Sequence, residues 1–258
     1  MGFPAGLVCR AVSAPSGATR DPGRGYCGGM LVWVASFPRS GNTFLRILLH
    51  RCYGLHTSTV YDVDGVAERL GTGLVGFTAR TMSFAQMRAA PQVFLVKTHR
   101  QRDGDVRDED PAICLVRDGR DAVVSWARQA SEHDPASYET RLRTIITRTG
   151  AVGTGGWGGN VLSWLRPALG HRPVLTYTQL TATPEAATRR VMAAVAPDRQ
   201  PLPQATAPSF AELHAIDGRF FCRGTAGSHR DEMPDDLHEL FWVQPDNATA
   251  MRLLGLPR

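Results

Sequence analysis

Lys97 is the only lysine among 29 basic residues, and it stands two positions before His99. An imidazole with an unperturbed pKa near ~6.5 can take a proton from a hydroxyl at neutral pH, and a compact ammonium beside it can face a negatively charged reacting group. In a composition tilted toward Arg, Ala and Gly, a retained lysine marks a position where arginine would not serve. Two other segments share this cationic character. Ser36-Phe-Pro-Arg-Ser-Gly-Asn-Thr43 sets Arg39 two residues before Gly41, and Arg117-Asp-Gly-Arg120 follows the apolar Ile113-Cys-Leu-Val116. Arginine forks and free backbone N–H groups match the oxygens of phosphate or sulfate, so binding and moving a compact anion is the chemistry these residues could do.

Apolar runs must position those groups. Leu31-Val-Trp-Val-Ala35, Val93-Phe-Leu-Val96 and Ile113-Cys-Leu-Val116 are continuous, as in strands covered on both faces of a parallel sheet. A weaker run, Pro173-Val-Leu-Thr-Tyr177, reads as a further strand. Helical spacing follows at Phe44–His50, at Asp121–Arg128 and at Asn160–Leu165, the last after a glycine-rich stretch, 153–159, that reads as a mobile rim or a connection. Thr183 is expected to cap a helix that begins at Pro184. Strands alternating with helices predict an α/β fold, with a central, mostly parallel sheet flanked by helices, in one domain from residue 30 to 258. Residues 1–29, rich in Gly, Pro, Ala and Ser, read as an extension or a misplaced start. In such sheets ligands gather beyond the carboxyl ends of the strands, where Arg39, Lys97, His99 and Arg117 all fall.

The first loop feeds a helix, whose N-terminal amides and dipole favour an anion, and Gly41 permits close approach. It matches the P-loop pattern G-x-x-x-x-G-K-[ST] only in part, because Ser36 stands for the first glycine and Asn42 for the lysine. The apparatus for a triphosphate and Mg²⁺ is incomplete. Arg39 instead places a fixed charge inside the loop, suited to a smaller anionic group.

At this point the segments resemble a known family. Ser36–Arg46 is similar to the 5′-phosphosulfate-binding loop of sulfotransferases that use 3′-phosphoadenosine-5′-phosphosulfate (PAPS), a family with a P-loop-like fold. Arg117-Asp-Gly-Arg-Asp-Ala-Val-Val-Ser125 resembles their 3′-phosphate segment, Lys97-Thr-His99 the segment holding the catalytic histidine, and Phe221-Cys-Arg-Gly-Thr-Ala-Gly227 the loop that closes over the cofactor. The four motifs keep the family's order.

The resemblance implies PAPS as donor, PAP as product and no metal, with His99 as general base and Lys97 and Arg39 facing the transferring group. It implies a 5′ site at Arg39, Ser40, Gly41, Asn42 and Thr43, and a 3′-phosphate site at Arg117, Ser125, Arg223 and Gly224, with Phe44 and Tyr177 bordering the adenine. Cys222 stands where many relatives carry a second basic residue, which puts one phosphate contact in question. The acceptor would be a hydroxyl, or an amine, of a small molecule or glycan, in a pocket built by residues 52–90 and 129–160.

Composition bounds the alternatives. The formal net charge is +5, with basic residues scattered rather than clustered, which suits an anionic ligand and not a nucleic-acid groove. Apolar runs fall well short of the roughly 20 residues of a membrane span, so no membrane insertion is expected. Five cysteines, odd in number and without a C-x-x-C pair, predict a reducing cytoplasm. The charged segment 100–112 lacks the glycine and terminal glutamate of an EF-hand at the required spacing and reads as a solvated loop. Competing readings are a P-loop kinase of small metabolites using Mg-ATP and a catalytically silent nucleotide-binding scaffold. Oligomeric state is left open by the sequence.

Overall fold

The run from Leu31 to Ala35 becomes the central strand, β1 (Met30–Ser36), in a computed structural model that describes residues 30–150, 152–165, 172–256 and 258. Residues 1–29, expected to form an extension, lie outside the described residues. In chain order β1 is followed by α1 (Asn42–Tyr53), β2 (Thr57–Thr59), α2 (Gly65–Leu70), α3 (Thr72–Val75), α4 (Phe84–Ala89), β3 (Val93–Thr98) and β4 (Ala112–Val116). Then come α5 (Gly119–Ala130), α6 (Tyr138–Ile146), α7 (Trp157–Trp164), β5 (Val174–Thr176), α8 (Tyr177–Ala182), α9 (Pro184–Val195), α10 (Phe210–Ile216), α11 (His229–Glu232), α12 (Asp235–Val243) and α13 (Pro245–Leu253).

The strands are arranged β2-β3-β1-β4-β5, and each named pair is parallel. The α/β class and flanked parallel sheet expected from the sequence are therefore present. Alternate residues of β1 serve opposite faces, as the pleat requires. Val32 and Val34 pack with Leu45, Leu48 and Leu49 of α1 and with Val191 and Met192 of α9. Leu31, Trp33 and Ala35 face Met87 of α4 and Trp164 of α7. Trp33 is wholly buried, and its indole N–H donates to the Asp110 carboxylate at 3.0 Å, so the polar edge of the ring is satisfied inside the core. A third cluster, with Val123 and Val124 of α5, Leu142 of α6, Trp157 of α7 and Phe241 of α12, packs around α5.

Three local expectations are corrected. Tyr177 does not end a strand but opens α8, because Thr176 and Gln179 form a reciprocal capping box there. Helix α9 does begin at Pro184, but the Thr183 hydroxyl makes no cap and bonds back to the Gln179 carbonyl at 3.4 Å. The glycine-rich stretch is neither all rim nor all connection, since α7 already starts at Trp157. A Cβ at Gly158 would lie 2.2 Å from the Asp246 carbonyl carbon, so this glycine lets α7 and α13 pack backbone to backbone. No helix among the described residues is long and apolar enough to cross a membrane.

Candidate active site

Beyond the carboxyl ends of β1, β3 and β4 lies a cleft of about 860 Å³ lined by Arg39, Lys97, His99, Arg117 and Ser125. The same cleft is reached by Gly41, Asn42, Thr43 and Phe44 from the first loop, by Tyr177 from α8, and by Arg223 and Gly224 from the late loop. Ser40, the remaining residue read from the sequence as part of the 5′ site, is buried beneath it.

The turn between β1 and α1 is held open for an anion. Arg39 adopts a left-handed backbone (φ 64°), a conformation that costs a non-glycine residue on the order of 1 kcal/mol or more. Gly41 follows at φ 99°, and a Cβ there would meet the Tyr177 ring at 3.0 Å. No side chain caps α1, so its first N–H groups carry the helix dipole toward the cleft without an internal side-chain acceptor. Asn42, at the place of a P-loop lysine, is buried and turned inward: its amide donates to the Val34 carbonyl at 3.2 Å and to Ser36 Oγ at 3.1 Å. It braces the loop from below.

Arg39 folds its guanidinium across the cleft. Nε donates to Ser125 Oγ at 3.2 Å, Nη2 to the Phe220 carbonyl at 2.8 Å, and the group lies over the Phe220 ring, 4.4 Å from the centroid. Burial, and next the charge of Arg117, lowers its pKa to about 10, so it remains cationic at neutral pH. Arg117 stacks on the Tyr177 ring at 4.3 Å and donates to the carbonyls of Arg39 (3.1 Å) and Thr225 (3.2 Å).

His99 is fixed at both backbone groups and at one ring nitrogen. Its N–H donates to the Tyr61 hydroxyl oxygen at 2.9 Å, and its carbonyl accepts from Asn160 Nδ2 at 2.9 Å. Nδ1 lies 2.9 Å from the Ser36 carbonyl oxygen, which can only accept, so the proton sits on Nδ1 and the lone pair on Nε2. Burial first, and the Lys97 charge second, push the imidazole pKa down to about 3. The ring is therefore neutral at pH 7. Lys97 is itself pushed down to about 8, chiefly by burial, with Asp64 opposing the shift.

The late loop is anchored where sequence reading assigned no role. Asp121 of α5 is buried and accepts from the backbone N–H of Gly227 (2.7 Å) and of His229 (3.0 Å), and from His229 Nδ1 (2.8 Å). Burial opposes ionisation, but these donors and Arg117 outweigh it and hold the carboxyl well below its usual range. Arg223 reaches the cleft wall, yet its guanidinium is paired with Asp231 (3.2 Å) and Glu232 (3.1 Å), and Cys222 beside it is exposed. The cleft is also lined by Tyr61, Val66, Arg69, Gln129, Glu132 and Thr154, which come from the two segments that sequence reading assigned to the acceptor. Arg69 ties that wall together through ion pairs to Glu132 (2.7 Å) and Asp217 (2.6 Å).

No protein-family profile matches the chain. It is 30% identical over 168 residues, 63% of its length, to WSCD family member GA21586 of Drosophila pseudoobscura pseudoobscura, and 30% identical over 167 residues to WSCD family member CG9164 of Drosophila melanogaster. The matched region spans about half the length of those curated relatives, 49% in each. Among solved structures, mouse sulfotransferase SULT7A1 in complex with PAP superposes with a TM-score of 0.57 at 15% identity, covering 88% of both chains. Retinol dehydratase with androsterone and PAP gives 0.53 at 14% identity, covering 84% of this chain and 80% of that one. The α/β fold expected from the sequence is thus the one the chain shares with mouse sulfotransferase SULT7A1 and retinol dehydratase.

Proposed function

We propose that the chain is a sulfotransferase, with residues 30–258 as a single domain, that moves a sulfuryl group from PAPS to a hydroxyl, or an amine, of a small molecule or glycan. The observation that carries this reading is the meeting of Arg39, Lys97, His99, Arg117 and Ser125 in one cleft at the ends of three separate strands. SULT7A1 and retinol dehydratase, similar in fold, were crystallised with PAP, and the latter with androsterone or retinol, which supports a nucleotide and a small acceptor in the corresponding halves of the cleft.

When bound, PAPS supplies an activated sulfuryl group. The residues do the rest by position and charge. The free N–H groups at the start of α1, from Ser40 to Thr43, hold the 5′ end. Arg117, Ser125 and the backbone at Gly224 hold the 3′-phosphate, with Arg223 joining them after leaving its acidic partners. Phe44 and Tyr177 border the base. Nε2 of His99 takes the proton of the acceptor, while Lys97 and Arg39 offset charge on the transferring group and on the oxygen it leaves. Asn42 supports this reading over a Mg-ATP kinase, because its buried amide braces the loop where a kinase of this type needs a lysine.

Incubation with ³⁵S-labelled PAPS and a panel of phenols, alcohols, amines and oligosaccharides, with calorimetry using PAP, tests the proposal. Transfer that survives a chelator, with PAP binding, is expected. No binding of PAP at millimolar concentration overturns it.

A further inference from the structure

Behind the cleft wall lies a charged cluster that the proposed chemistry does not use. Arg46 of α1 is fully buried, donates from Nε to Thr57 Oγ1 at 2.7 Å, and pairs through Nη1 with Asp64 Oδ2 at 2.8 Å. Asp64, also buried, caps α2 by accepting from the N–H groups of Val66 (3.1 Å) and Ala67 (3.2 Å). Its Oδ1 then stands 3.8 Å from Lys97 Nζ. The ammonium lies 5.4 Å from the centroid of the Tyr61 ring, and Tyr61 in turn accepts from the His99 backbone. The charged and titratable groups around Lys97 are thus Asp64 before α2, Arg46 from α1, and Tyr61 and His99 beyond β2 and β3.

We propose that Asp64 is the positioning residue for Lys97: its carboxylate, locked by Arg46 and by the first turn of α2, holds the chain's single ammonium at the cleft wall. The arrangement explains why a costly buried pair stands under a catalytic surface. A lone lysine in that wall would be desolvated without a partner and would drift from place or lose its proton. A lone Asp64–Lys97 pair would close on itself. With Arg46 taking one carboxylate oxygen, the other is left at 3.8 Å, near enough to steady the ammonium and too far to bind it as a tight hydrogen bond. The same carboxylate fixes the start of α2, which carries Val66 and Arg69 of the acceptor wall, so the lysine and that wall share one anchor.

The sole lysine makes the test direct. In protein labelled with ¹³C-lysine and carrying no lysine in any tag, one resonance reports the ionisation of Lys97 without a donor nucleotide present. Asp64→Asn keeps a side chain able to cap α2 while removing the charge. Arg46→Met removes the opposing charge, and the double variant removes both. Asp64 is in contact with the ammonium at 3.8 Å, whereas Arg46 meets the far oxygen of that carboxylate, so the carboxylate is the nearer charge. The expected order of midpoints is therefore Asp64→Asn lowest, then the double variant, then the natural chain, then Arg46→Met. Unfolding would instead bring the lysine to its ordinary value near ~10.4, with loss of the cooperative melt, so it cannot imitate a fall.

If Asp64→Asn leaves an unfolded chain, the double variant, in which Arg46 no longer adds a second unpaired charge beside Lys97, decides the matter. A midpoint below that of the natural chain supports the proposal, and one equal or higher overturns it. The catalytic consequence rests on the proposed sulfuryl transfer: Asp64→Asn should lower kcat and shift its alkaline limb to lower pH while PAP affinity changes little. The nuclear magnetic resonance order stands or falls without any transfer, so failure of the functional reading and failure of this one are told apart.

Discussion

Arg117 donates from Nη1 to the main-chain carbonyl of Arg39 at 3.1 Å, and so pins a left-handed non-glycine residue. From Nη2 it reaches the Thr225 carbonyl, joining the first-strand loop to the late loop. An arginine in this position has two tasks, to shape the site and to charge it. Arg117→Lys keeps the charge but cannot span both carbonyls. Loss of charge-assisted hydrogen bonds of about 1.5–3 kcal/mol corresponds to roughly 10- to 150-fold weaker PAP binding. Calorimetry with PAP measures it; an unchanged Kd in Arg117→Lys would mean that the charge suffices without the bridge between the two carbonyls.

If His99 is the base of the proposed transfer, His99→Ala should lower kcat about 10²- to 10⁴-fold. PAP affinity should stay nearly constant, because the ring faces the acceptor and its loss leaves the anion-binding groups in place. A parallel collapse in PAP binding would show that His99 acts through the architecture of the loop, by way of Ser36, and not as a base.

The low His99 pKa also fixes the sign of a stability effect. The folded imidazole titrates at about 3, below the ordinary value near ~6.5 of the unfolded chain, so between those limits the unfolded state binds the extra proton. Its contribution is fully present above about pH 6.5 and is lost as pH falls toward 3. His99→Gln should therefore flatten the acid side of the pH-stability curve in urea melts taken from pH 7 to 4. Bound PAP, by adding negative charge to the cleft, should raise the His99 midpoint, which ¹H–¹⁵N spectra of the ring can follow.

What the sequence disclosed and what it hid divide by distance along the chain. Strands β1, β3 and β4 were legible because their residues are apolar without interruption, and the cationic groups follow where the runs stop. Strand β2 was not, because Thr57, Ser58 and Thr59 are polar and become buried only by bonding to neighbours such as the Leu95 and Lys97 carbonyls. Capping boxes at Ser83–Gln86 and Ser209–Glu212 were readable signals for α4 and α10. No local pattern links Asp121 to His229, 108 positions later, or turns Arg223 toward Asp231 and Glu232. Those choices depend on which helix α11 meets.

Asp121→Asn tests that hidden link. The amide keeps one accepting oxygen but loses the charge, and its NH₂ group must face either the Gly227 donor or the two His229 donors, which then lack an acceptor. A loss of about 1–3 kcal/mol in stability is expected, read in denaturant melts. Proteolysis within 221–228 should quicken, and PAP binding should weaken because the loop bearing Arg223 and Gly224 is no longer tied to the helix bearing Ser125. Weaker PAP binding with unchanged proteolysis would point to lost charge alone.

Asn42→Lys asks whether this loop is a nucleotide-triphosphate loop lacking one residue. It should not become one. Asn42 is buried, and its amide ties the start of α1 to Val34 and Ser36 of β1; the Ser36 carbonyl in turn orients His99. A lysine there loses two hydrogen bonds and either buries an ammonium without an anion or pushes the loop outward to free it. The expected result is a lower Tm, weaker PAP binding and no Mg²⁺-dependent ATP binding by calorimetry. Gain of chelator-sensitive ATP binding with stability retained would show that the loop's geometry is that of a kinase, and that Asn42 alone had kept it from acting as one.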